Sequence, residues 1–151
     1  MKSLVHSEKN KKLYTCHQDL QQGFYTIREA VRTNHPGYDA KIIFGHRTPA
    51  EQFEMFKRGR ELLPLSSGGY QWTGIEGEKT VTGADGYRVL SAHNSMPSMA
   101  MDLVVLDSKG RAVWDSQFYL AIVTSAKLCG FGSGGDFRMK DYGHVFVKAN
   151  E

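Results

Sequence analysis

Cysteine is scarce. Cys16 and Cys129 are the only two in 151 residues, too few and too far apart for a disulfide framework or a cysteine zinc knuckle. Both are expected as reduced thiols in the core, Cys129 near the end of an apolar helix. Long apolar runs are missing too. No stretch approaches the roughly 18 to 20 residues that span a bilayer, and the start, MKSLVHSEKNKK, lacks the apolar segment of a signal peptide. A cytosolic product without membrane insertion is expected. Neither sign of charge dominates: the net charge is +3, with basic residues dispersed from Lys9, Lys11 and Lys12 through Arg58 and Arg60 to Arg138 and Lys140. No basic stretch interleaves with aromatics as in a nucleic-acid motif, so no nucleic-acid partner is expected. Internal repeats and low-complexity tracts are absent. What is present, 40% apolar and 11% aromatic residues, suffices for one folded domain over residues 1–151 with a core of its own, expected as a monomer.

The segment Asp19 to Arg32 spaces Leu20, Phe24, Ile27 and Val31 along one helix face, and Asn34-His35-Pro36-Gly37 breaks it. Lys41-Ile42-Ile43-Phe44 reads as a buried strand that delivers Gly45-His46-Arg47 to its end. Thr48-Pro49-Ala50-Glu51 then predicts a helix start, with Thr48 as N-cap, Pro49 at the first position and Glu51 closing a capping box; this second helix runs to about Arg58. Gly59 to Arg88 is rich in Gly, Ser and Thr, with Tyr70 and Trp72 scattered in it, and reads as a long, irregular, substrate-facing loop.

Ala100 to Leu106 predicts a strand, turned at Asp107-Ser108-Lys109-Gly110 into a return strand Arg111-Ala112-Val113. Asp115 or Ser116 is the expected cap of a third helix that carries Phe118, Leu120, Ile122, Val123 and Leu128 and stops near Gly130. Gly132 to Gly135 then reads as a flexible approach to a last strand, His144 to Val147. The expected fold class is α+β, a small, mainly antiparallel sheet flanked by helices.

Chemistry concentrates at three places: Ser91-Ala92-His93 in a loop, Asp102 entering a strand, and Asp141-Tyr142-Gly143-His144 entering the last strand. Two histidines and an aspartate form a zinc ligand set that leaves a fourth position open and a residual positive charge on the site. Strand alternation puts Asp102 among Ala100 and Val104, where an unpaired carboxylate is costly. A metal would neutralise it; so would a nearby Arg or a set of backbone N–H groups. The residue pattern leaves both readings open.

Ser91-Ala92-His93-Asn94-Ser95-Met96-Pro97-Ser98-Met99-Ala100-Met101-Asp102 resembles the Ser-x-His…Ala-x-Asp motif of the LAS zinc peptidases. That family includes D-Ala-D-Ala carboxypeptidases, D-Ala-D-Ala dipeptidases and phage L-alanyl-D-glutamate endolysins. Gly134-Gly135-Asp136-Phe137 through Asp141-Tyr142-Gly143-His144 resembles its Gly-Gly-Asp-aromatic segment, followed by an acid and the last zinc-binding His. Gly45-His46-Arg47-Thr48-Pro49-Ala50-Glu51-Gln52 resembles its strand-end Arg and following helix, so the likeness runs from about Ile42 to Val147. Two positions depart from the pattern. Asp102 stands nine residues after His93, two beyond the family's usual interval, an even insertion that preserves strand parity. Phe146 stands where relatives carry a supporting Glu.

The resemblance implies a LAS/hedgehog-type fold, with zinc on His93, Asp102 and His144 and with Asp141 as general base. Arg47 would hold the developing oxyanion or a substrate carboxylate. It further implies hydrolysis of peptidoglycan stem peptides, most concretely at L-alanyl-D-glutamate, by a phage endolysin held in the host cytoplasm until a holin opens the membrane. The alternatives are a D-Ala-D-Ala carboxypeptidase and a noncatalytic metal- or wall-binding module. Ser91 would bond substrate or steady its loop, and His46 would line the cleft or end the strand. Asp136 would position the catalytic turn or contact substrate. His6, His17 and His35 read as solvated side chains.

Overall fold

In the computed structural model, which describes residues 11–148, α1 (Gln18–Asn34) follows a short 3-10 turn. His17 caps α1 by accepting a hydrogen bond from the Asp19 N–H, and Leu20, Phe24, Ile27 and Val31 form its buried face. Strand β1 (Asp39–Phe44) leads to α2 (Pro49–Lys57), whose expected capping box is present: Thr48 and Glu51 satisfy each other's backbone N–H.

The main sheet is antiparallel, in the order β1, β4 (Ala100–Leu106), β7 (His144–Phe146), β6 (Gly132–Ser133), with β5 (Ala112–Val113) paired to the end of β4. α1 packs beside α3 (Leu120–Leu128). Alternation along β4 divides the molecule. Met101, Leu103 and Val105 join Ala40, Ile42, Val145 and the helices in one apolar core, which leaves Ala100, Asp102 and Val104 on the opposite face. The fold is α+β, as the pattern of elements predicts.

Three local readings need correction. The stretch 59–88 contains a hairpin, β2 (Arg60–Pro64) and β3 (Tyr70–Gly74). Its residues are mostly exposed, so no buried face imposes an apolar alternation, which hid both strands. Asp115 caps a 3-10 turn, Ser116–Phe118, and the α-helix starts only at Leu120. Gly132–Gly135 is not a flexible approach: Gly132 and Ser133 pair with Phe146 and Val145, and Gly134 opens another 3-10 turn. The thiols also differ. Cys16 is buried, and desolvation pushes it up to about 11, whereas Cys129 lies exposed beyond the helix rather than in the core. His35 packs edge-to-face against Phe118, and His6 lies outside the described residues.

Candidate metal centre

Strand register builds most of the site. Asp102 pairs with Phe44 of β1 on one side and with His144 of β7 on the other, so all three side chains stand on the face away from the helices. His144 Nδ1 lies 2.8 Å from Asp102 Oδ1. Two glycines permit the turn that brings His144 there. A Cβ at Gly134 would collide with the Asp141 carbonyl, and one at Gly143 with the Leu103 carbonyl. The backbone there closes through Asp141 N–H to Gly134 O at 2.9 Å and Leu103 N–H to Gly143 O at 2.8 Å.

His93 arrives from a 3-10 turn, Ala92–Asn94, closed by a capping box between Ser91 and Asn94. Asn94 donates to the Arg47 carbonyl and the Arg47 N–H to the His93 carbonyl, both at 2.8 Å, which locks this turn to the segment after β1. In the segment between His93 and Asp102, residues 95–97 are exposed, while Ser98 is fully buried and bonds through its backbone to Thr15 and His17.

His93 Nδ1 stands 2.8 Å from the Gly45 carbonyl, which can only accept, so Nδ1 carries the proton and Nε2 presents its lone pair. Nε2 is buried without a hydrogen-bond partner and faces Asp102 Oδ2 at 3.2 Å. Two electron-pair donors held together in a buried place are what a cation would reconcile. One ligand atom from each of His93, Asp102 and His144 lies within 4.8 Å of the others. Burial alone would push the Asp102 carboxyl up, but the hydrogen bond with His144 and the proximity of the two imidazoles outweigh it and hold the group well below the usual carboxylate range. The residues present fit a metal ion with two imidazoles and one carboxylate.

Arg47 is 6% exposed. It donates to Gln52 Oε1 at 2.8 Å and reaches Asp102 Oδ2 at 3.5 Å, with its guanidinium 4.8 Å from the Phe44 ring centroid. It makes no surface ion pair with Glu51 or Glu54. Desolvation lowers its pKa, opposed by the carboxylates of Asp102, Glu51 and Asp141. Asp141 shifts the other way: burial and then the neighbouring Asp102 charge raise its carboxyl, opposed by His144, His93 and Arg47. A cleft of about 570 Å³ is lined by the three candidate ligands together with Arg47, Ser91 and Asp141, and by the segment 80–83. His46 and Asp136 do not line it. His46 Nδ1 lies 2.9 Å from the Ser95 carbonyl, and Asp136 binds Lys127 Nζ at 2.7 Å, which ties the turn to α3 through a side chain rather than through backbone bonds. Phe146 stacks on Phe137 and lies beside His144, so the last ligand has an apolar neighbour two residues on.

Gln52 escaped the sequence reading. Fully buried, it accepts from Arg47 and donates to Ala84 O at 3.0 Å and Thr82 Oγ1 at 3.3 Å, joining the guanidinium to the loop that walls the cleft. The available signal was a polar residue in the inward stripe Gln52, Met55, Phe56 of a helix whose start the capping box had already set. Gln52→Ala leaves Arg47 without its buried acceptor and the loop without its anchor. We expect roughly tenfold lower kcat/KM, a helix content unchanged by circular dichroism, and recovery in Gln52→Glu. An unchanged rate would relieve Gln52 of any positioning role.

An Asp and a His on one sheet face, a second His brought to them by a 3-10 turn, an acid on the turn before the last His and an Arg just beyond the end of the neighbouring strand define a metallopeptidase of the LAS class. No family model matches the chain. It is, however, 31% identical over 144 residues to the peptidoglycan L-alanyl-D-glutamate endopeptidase CwlK of Bacillus subtilis (strain 168), a match covering 89% of this chain and 74% of that protein. The chain belongs to the LAS metallopeptidase family.

Proposed function

We propose that this enzyme is a zinc-dependent endopeptidase that cleaves the L-alanyl-D-glutamate bond of peptidoglycan stem peptides. The observation that carries this reading is the convergence of His93, Asp102 and His144 within 4.8 Å, in a cleft that Asp141 also lines. The relative CwlK bears that activity in its name. Two imidazoles and a carboxylate suit zinc, and the LAS peptidases are zinc-dependent. Once bound, it supplies Lewis acidity, polarising a carbonyl and acidifying water.

The chain's own residues supply the rest. Asp141, beside the anionic Asp102, is a stronger base than an ordinary aspartate. It takes the proton of the attacking water and returns it to the leaving amine. Arg47 presents a fork of donors held in place by Gln52, suited to a developing oxyanion or a carboxylate of the substrate. Ser91 fixes the His93 turn and borders the cleft.

Space on both sides of the carboxylate pair favours an endopeptidase over a D-Ala-D-Ala carboxypeptidase, because Asp102 and Asp141 also line a second cavity next to the cleft. The motifs shared with phage members support a role as an endolysin, held in the bacterial cytoplasm and acting on the wall after the membrane is opened. No helix among the described residues is long and apolar enough to cross a membrane.

Purified protein loaded with zinc and incubated with muropeptides should yield new D-glutamate amino termini by mass spectrometry, and chelation should abolish them until zinc is restored. Release of terminal D-alanine instead would replace this reading with the carboxypeptidase. No cleavage of any stem peptide would leave a metal- or wall-binding module.

A further inference from the structure

The second cavity, of about 270 Å³, shares Asp102, Lys140 and Asp141 with the main cleft. It arises from the sheet itself. β5 pairs with β4 only at Val105 and Leu106, and β7 only at Ala100 to Asp102, so the two strands leave a gap between them. Trp114 follows directly on the last residue of β5, and Phe44 stands beside Asp102 in the register; both border the cavity. Trp114 is 69% exposed and belongs to no part of the core, and Phe44 is 42% exposed. The Phe44 ring already carries the Arg47 guanidinium, whereas the Trp114 indole, exposed next to a reaction centre, is a candidate recognition surface.

The two cavities differ in chemistry. The main cleft offers the Arg47 guanidinium, suited to the carboxylates that a stem peptide carries from D-glutamate onward. The notch is bordered by the exposed Trp114 indole and by Phe44. On the other side of an L-alanyl-D-glutamate bond, a single alanine separates the scissile carbonyl from the lactyl ether of an N-acetylated amino sugar. A pyranose presents a C–H-rich face and a hydroxyl edge, which suits a half-open site with an aromatic wall and access to water.

We propose that this notch is a subsite for the N-acetylated amino sugar bearing the stem peptide, with Trp114 as its stacking residue. The proposal rests on the peptidase reading above. Seated there, the sugar would place the alanyl carbonyl over Asp102 and Asp141, with the acidic part of the stem running into the main cleft. The enzyme would then read the junction between glycan and peptide, and an uncrosslinked muropeptide would be a better substrate than the free peptide.

The test compares zinc-loaded wild type, Trp114→Ala and Trp114→Phe on two substrates: an N-acetylmuramyl stem peptide and the same peptide without sugar. Trp114→Ala should lose about tenfold in kcat/KM on the sugar-bearing substrate, the scale of one aromatic contact. It should be unchanged on the free peptide, and Trp114→Phe should recover most of the loss. Equal loss on both substrates, or none on either, would overturn the subsite. A separate titration with N-acetylmuramyl-L-alanine, read by tryptophan fluorescence, should perturb wild type and not Trp114→Ala. That response without hydrolysis of either substrate would sustain the subsite and overturn the peptidase reading. Hydrolysis without that response would do the reverse.

Discussion

Asp141→Asn should abolish hydrolysis, by roughly 10² to 10⁴-fold in kcat, while leaving the metal content of the purified protein unchanged. The substitution keeps the shape of the side chain and removes its capacity to take a proton. Asp141 is not one of the three converging ligands, so metal content and turnover should separate. Wild type should show an acid limb in kcat/KM, activity rising as Asp141 ionises, and the limb should vanish from any residual activity of the variant.

A stability consequence accompanies this. Burial and the Asp102 charge raise the Asp141 carboxyl, so the folded metal-free protein holds that proton more tightly than the unfolded chain. Stability from this group is therefore greatest at low pH and declines as pH rises toward the folded value. At neutral pH the ionised Asp141 is a cost, and Asp141→Asn should melt at or above the wild-type temperature when both are metal-free. A variant that hydrolysed at the wild-type rate, or that lost its metal, would remove Asp141 from the role of base.

Asp102→Ala should be the most damaging substitution for metal content and fold together. Asp102 is the common partner of His93, His144 and Arg47. Removing it deletes a ligand and leaves the guanidinium of Arg47 buried without that counter-charge. Loss of one member of a buried ion cluster costs about 3 to 5 kcal/mol, or roughly 10 °C in Tm for a chain of this size. Metal analysis should find less than one-tenth of the wild-type content, with no measurable hydrolysis. The sign with pH is opposite to that of Asp141. The Asp102 carboxyl is depressed in the fold, so its contribution is whole above about pH 4 and is lost as pH falls toward the native value. Metal-free wild type should therefore lose stability below that pH more steeply than Asp102→Ala. Full metal content in the variant would remove Asp102 from the ligand set.

The elements that were legible in the sequence share one property: a partner close by in the chain, or a face packed on the core. The α2 capping box is written in Thr48-Pro49-Ala50-Glu51, and the apolar stripe of α1 and the run of β4 follow from burial that alternates with a fixed period. The β2–β3 hairpin packs little and gave no such period. The start of α3 was misplaced because an Asp can cap a 3-10 turn as well as an α-helix, and only the packing of Tyr119, whose hydroxyl bridges Val105 N–H and Val113 O, sets where the helix begins.

The candidate site divides the same way. By itself the sequence singled out His93, Asp102, Asp141, His144 and Arg47, which the fold brings to one cleft, because residue type and local spacing are properties of the chain. It also determined the parity that turns Asp102 away from the core. Only the tertiary structure decided which nitrogen His93 presents, since that depends on the Gly45 carbonyl 48 residues away. The same holds for the burial of Gln52 between Arg47 and the loop at Thr82 and Ala84, for the pairing of Asp136 with Lys127, and for the aromatic notch at Trp114. Each of these rests on a contact between segments distant in sequence. Short-range periodicity carries no information about such contacts, and burial, through the loss of water, is what gives them their direction and their strength.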